Sequence, residues 1–187
     1  MGPTFDAFLR SWPLDPWVPF ALLITAGLYL GGWLVLHRRD RSRWPAGRLV
    51  AFGMGLLTVF LALCSPIETF TSLLLQVHML QHLLLMMIAP PLLWLGAPAF
   101  PMLLGLPRPV RMYWIAPVFR SRLVRRALGR LTHPVPAWLL FAAATWIWHV
   151  PPTYELALAS DGWHILQHIS FLVTALIFWY PVIRPFP

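Results

Sequence analysis

Charge is what this sequence has least of. Only 11% of its 187 residues are Asp, Glu, Lys or Arg, against roughly 25% in a soluble globular domain. A chain so poor in charge cannot coat a water-facing surface, which excludes an ordinary soluble domain although the length alone would allow one. Lysine is absent, so all fourteen basic residues are Arg. Cysteine is nearly absent too: Cys64 stands alone, which excludes a disulfide framework within the chain. The first sixteen residues carry Asp6, Arg10 and Asp15 in place of a basic signal-peptide start. The apolar run that follows has no small-residue cleavage site and is read as a retained span.

What the chain has in plenty is apolar surface, at 59% of residues. The composition predicts an all-α, polytopic helical membrane bundle, one integral membrane domain over residues 1–187. A span needs about 20 mainly apolar residues. Five segments meet or approach that length: 17–36, 49–66, 72–93, 135–150 and 163–183. Trp17, Trp94, Trp148 and Trp179 are among the tryptophans near segment ends, where aromatic belts form.

Arginine sets the orientation. Twelve of the fourteen lie in the connections 37–48 and 99–134, and the positive-inside rule makes both cytoplasmic. The N-terminus then lies outside and the C-terminus inside, with Glu68, Glu155 and Asp161 on the outer side. With the basic residues assigned to loops, no aromatic-interleaved basic surface is left for nucleic acid. Residues 110–131 mix Arg with Tyr113, Trp114, Phe119, Leu123 and Leu128. Part of that stretch is expected to lie in the inner interface as an amphipathic helix on anionic lipid. Proline is abundant, at twenty residues. The Pro90-Pro91 pair is expected to end or sharply kink the third helix, and any carbonyls freed there need partners from neighbours or water.

Of seven histidines, His37 and His133 fall in the inner connections and are given no role. The other five fall at one depth. His78 and His82 share one helical face at i and i+4, about 9 and 15 Å below the outer end of the third span. His164 and His168 repeat the spacing at the outer end of the fifth span, within matching strings (His78-Met79-Leu80-Gln81-His82 and His164-Ile165-Leu166-Gln167-His168). His149 closes the fourth span. Ionisable groups inside a membrane are costly and usually face the bundle interior, and two imidazole pairs on neighbouring helices supply four nitrogens suited to copper, zinc or iron. Cys64 and Met79 lie near the same layer as soft ligands of the kind cuprous copper favours, and Glu68 is a candidate acceptor that fixes an imidazole tautomer. A zincin needs an acid after the first His, and Met79 and Ile165 are not acids. A single haem between the third and fifth spans stays open, as does a proton or quinone site.

At these residues the sequence resembles a known family. The block from His78-Met79 and His82 to Ala89-Pro90-Pro91-Leu92-Leu93-Trp94-Leu95-Gly96-Ala97-Pro98 is similar to the CtaG-type membrane assembly factor of caa-type cytochrome c oxidase. So are Trp148-His149-x-Pro151-x-x-Tyr154, the pair His164 and His168, and Phe178-Trp179-x-Pro181-Val182. The resemblance implies a bacterial plasma-membrane protein, not an enzyme, that helps to assemble a haem-copper oxidase. Its implied functional set is His78, His82, His149, His164 and His168, with Tyr154 beside them. It implies copper as the metal, an oxidase subunit or another copper carrier as partner, and the lipid bilayer as surroundings. A b-type haem or redox protein and a metal-free scaffold are the alternatives. Family members continue past the Phe-Trp-x-Pro block with further spans, whereas this sequence stops at Pro187; any ligand carried there lies beyond it.

Overall fold

The computed structural model describes Trp12, residues 15–71 and residues 73–185. Asp6, Arg10, Ser72 and Pro187 lie outside the described residues. Among those described, every regular element is helical. In chain order these are α1 (Trp17–Arg39), α2 (Ala46–Cys64), α3 (Pro66–Phe70) and α4 (Leu75–Leu83). A π-helical turn, Leu84–Ile88, joins α4 to α5 (Ala89–Leu95), and α6 (Ala99–Gly105) follows. A second π-helical turn, Val110–Ile115, leads to α7 (Ala116–Arg120) and α8 (Arg122–Leu131). The chain ends with α9 (Pro134–His149), α10 (Pro151–Ala159) and α11 (Asp161–Ile183).

Among the described residues, four stretches are long and apolar enough to cross a membrane: Trp17–Arg39, Ala46–Phe70, Leu75–Leu95 and Asp161–Ile183. The chain is therefore a multi-pass helical membrane protein. At 16 residues α9 is the exception; it reaches about 24 Å against roughly 30 Å of hydrocarbon.

The Pro90-Pro91 pair does not end the third helix. Both prolines fall in the first turn of α5, and the helix runs on to Leu95 because the turn before them has widened to π. The Met86 carbonyl shows why that turn needs help. Its α-helical donor would come from residue 90 and its π-helical donor from residue 91, and both are proline, which has no N–H. The Trp179 indole Nε1 of α11 donates to it instead, at 3.0 Å. Around this bond Met86, Trp148, Ala157, Phe171 and Ala175 form one buried cluster with Trp179 packed against it. The cluster ties the π turn to α9, α10 and α11, of which α9 carries His149 and α11 carries His164 and His168.

A second cluster fixes the opposite end of the bundle. Tyr29, Trp33, Trp44, Phe52 and Ala97 are buried together. The Tyr29 hydroxyl donates to the Gly96 carbonyl at 2.7 Å, and its ring stacks on Phe52 at 3.8 Å. Here α6 folds back against α1 so closely that a Cβ on Gly32 would stand 1.8 Å from the Pro101 carbonyl oxygen, and one on Gly105 would stand 1.9 Å from that of Leu28. Small residues permit such backbone approach in membranes.

Two arginine-rich connections differ from expectation. His37 lies in the last turn of α1, not in a loop; its Nδ1 donates to the Trp44 carbonyl at 2.6 Å and its ring stacks on Trp33. The stretch 99–134 is mostly helical, not a loop, because its prolines start new helices at α6, α7 and α9. Within it, α8 places Arg122, Arg125, Arg126 and Arg130 on one side, over an arc of about 140° at 100° per residue. Leu123, Val124, Ala127, Leu128 and Leu131 take the other side. In the tight connection before α2, the Asp40 carboxylate accepts the Arg43 backbone N–H at 3.0 Å, which holds that carboxyl below the usual carboxylate range.

Candidate metal centre

The two histidine pairs start at the same point of their helices. His78 is the fourth residue of α4 and His164 the fourth of α11; His82 and His168 follow one turn deeper in each. Because α4 begins at Leu75, three residues later than the sequence suggested, the pairs sit about 4.5 and 10.5 Å from their helix starts. The rows face each other in register. The His78 and His164 rings are 5.5 Å apart and nearly parallel, and His82 and His168 are 5.4 Å apart edge to face.

His78, His82 and His164 each offer a ligand atom, and all three atoms lie within 4.8 Å of one another. His168 adjoins them, with its ring 4.3 Å from that of His164. His78, His82 and His168 are buried and His164 is half-buried. Five imidazole nitrogens here are shielded and have no hydrogen-bond partner: His78 Nε2, His82 Nδ1 and Nε2, His164 Nε2 and His168 Nε2. An unsatisfied buried polar group costs about 1–3 kcal/mol, so a group of five calls for a physical cause. Three lone-pair nitrogens around one point suit copper, zinc or iron.

The surrounding residues hold this face in place. Glu68, in α3, puts Oε1 3.9 Å from His164 Nδ1. Its Oε2 accepts a hydrogen bond from the side-chain amide of Gln81, which also donates to the Ala62 carbonyl at 2.8 Å. Gln81 is fully buried between His78 and His82 and links α2, α3 and α4. Its counterpart Gln167 is buried too, with Oε1 unpartnered. Sequence reasoning assigned neither glutamine a role, although the repeated His-x-x-Gln-His string contained both.

The remaining candidates lie around the rim. His149 is exposed at the end of α9; its Nδ1 donates to the Thr145 carbonyl at 2.6 Å, which leaves Nε2 as the lone-pair nitrogen. It is not one of the three converging histidines. The Tyr154 ring, on α10, is 6.3 Å from His78. Met79 follows His78 by one residue, about 100° around the helix and off the shared face. Cys64 is buried and lines a cavity with Glu68, His164 and His168. His133 is exposed and remote from the cluster in sequence.

Fold and site together define a multi-pass helical membrane protein with a layer of inward-facing histidines near one end of the bundle. The chain belongs to the family described as cytochrome c oxidase caa3 assembly factor (Caa3_CtaG), whose match covers residues 27–187. It is also similar to the uncharacterized protein Mb0105 of Mycobacterium bovis and the uncharacterized protein MT0111 of Mycobacterium tuberculosis, each 30% identical over 187 residues. The uncharacterized protein ML1998 of Mycobacterium leprae is 28% identical. Each match covers 97% of this chain but 28% of the relative, so the chain spans under a third of the length of these curated relatives. No solved structure matches it.

Proposed function

We propose that this chain is a non-enzymatic assembly factor of the bacterial plasma membrane that takes up copper as cargo. It binds the ion at His78, His82 and His164, with His168 as a fourth nitrogen, and passes it to a cytochrome c oxidase subunit or another copper carrier. The observation that carries this reading is the convergence of three histidine donor atoms within 4.8 Å, on two helices, beside imidazole nitrogens that have no other partner. Glu68 sits where it can fix the His164 tautomer. His149, with Nε2 left open at the rim, is suited to the hand-over step.

The reading includes a topology. Five spans cross the membrane, α9 being completed by its flanks, with the N-terminus outside, the arginine-rich stretches inside and the histidines in the outer leaflet. The segregation of arginine supports that orientation, and the outer face is where extracytoplasmic copper carriers act. A bis-histidine haem fits less well. Its two imidazoles must stand on opposite sides of a macrocycle, whereas these three donors gather around one point.

The test is made in cells. Replacing the chain with His78→Ala/His82→Ala is expected to leave the protein inserted while lowering the copper content and activity of the oxidase. His133→Ala serves as control, being exposed; His37 is unsuitable because its ring packs on Trp33. Full oxidase activity with normal oxidase copper in the double variant would leave a metal-free scaffold as the better reading.

A further inference from the structure

A cavity of about 470 Å³ opens beside the histidine layer, lined by Asp15, Cys64, Glu68, Asp161, His164 and His168 among others. Its polar lining is graded by depth. Asp15, just before α1, and Asp161, in the first turn of α11, are exposed. Glu68 and His164 are half-buried and in contact, and His168 is only 7% exposed. His168 Nε2 has no hydrogen-bond partner. Three of the chain's six carboxylates line this space, and among the described residues no arginine does, in a chain whose net charge is +8. Clefts lined by one sign of charge with apolar walls concentrate counter-ions. Leu63, Leu85, Ile165, Ile169 and Leu172 supply such walls.

We infer that this cavity is the vestibule through which a metal cation reaches the histidines from the outer side, drawn in by Asp15 and Asp161 and passed along Glu68 to His164 and His168. The inference rests on the copper-binding reading above and adds to it a route and a charge selectivity. Glu68 is the junction: one carboxylate oxygen faces His164 Nδ1 at 3.9 Å, and the other is held by Gln81, the residue between His78 and His82. A cation arriving at Glu68 is already beside both histidine helices.

Cys64 makes the vestibule measurable without any metal, because it lines the cavity and is the chain's single cysteine. The full chain, in nanodiscs, is treated in parallel with a cationic and an anionic methanethiosulfonate reagent, and the ratio of the two rates on Cys64 is taken. Both reagents attack the same thiolate, so the ratio cancels any change in thiolate fraction and reports the local potential. Asp15→Asn/Asp161→Asn keeps shape, and Asn retains the oxygen that accepts the Trp17 backbone N–H at 3.0 Å from Asp15. The ratio is expected to favour the cation in the native chain and to fall about ten-fold in the variant at low ionic strength, with the difference shrinking toward unity near 1 M salt. The rate of copper loading should fall in the variant as well, with the final stoichiometry unchanged. An unchanged ratio, or no reaction of Cys64 with either reagent, overturns the vestibule. A native chain that binds no copper yet shows the expected ratio overturns the histidine reading instead, so the two failures are distinguishable.

Discussion

Trp179→Phe isolates the bond that lets the third helix pass through two prolines. The substitution keeps an aromatic ring in the cluster with Met86, Trp148 and Phe171 but removes the indole N–H that meets the Met86 carbonyl at 3.0 Å. No backbone donor is at hand, since the residues one α-turn and one π-turn onward are Pro90 and Pro91. The carbonyl is left unsatisfied in a water-poor interior, at about 1–3 kcal/mol. The smaller ring adds roughly 1 kcal/mol of lost packing. A total of about 2–4 kcal/mol corresponds to roughly 5–12 °C in Tm for a chain of this size. Thermal unfolding in detergent, read by near-ultraviolet dichroism, measures it. Trp146→Phe is the control, because Trp146 is 74% exposed and makes no such bond. Equal Tm values for the two variants would refute the account of the π turn.

Two neighbouring glycines should respond with opposite sign. Gly32→Ala drives a Cβ to 1.8 Å from the Pro101 carbonyl, backbone against backbone, and should cost 3 kcal/mol or more (about the upper end of overpacking penalties). Gly31→Ala meets nothing within 4 Å and should be neutral or stabilising by up to about 1 kcal/mol through helix propensity; unfolding curves of the two variants side by side check the sign. Reporter fusions after Arg43 and after Arg125 should read cytoplasmic, and one after Asp161 should read external. An external signal at Arg125 would overturn the orientation and with it the outer placement of the histidines.

The parts of the molecule written in repeating patterns were legible. Apolar runs located the long helices, and the duplicated His-x-x-x-His spacing placed two imidazole rows at one depth, because a helix converts spacing into position. Contacts between distant segments were harder to read. Nothing in the string Ala89-Pro90-Pro91 says that Trp179 replaces the missing donors, and nothing at Gly32 says that Pro101 folds back onto it. The arginines mark 99–134 as a connection, yet prolines at first-turn positions start helices, so the stretch is mostly helical. Gln81 was in plain view between His78 and His82, but a neutral amide earns attention only once its neighbours, Glu68 and the Ala62 carbonyl, are known.

The central claim is that the facing histidines hold a copper ion. It is tested most directly by loading the purified chain with copper in nanodiscs, measuring metal per protein, and recording the copper-edge X-ray absorption. The account predicts one ion per chain, with three or four imidazole nitrogens at roughly 2.0 Å. It predicts loss of that ion in His78→Ala/His82→Ala and retention in His133→Ala. A native chain that binds no copper, or a double variant that keeps the ion with the same ligand shell, would contradict it.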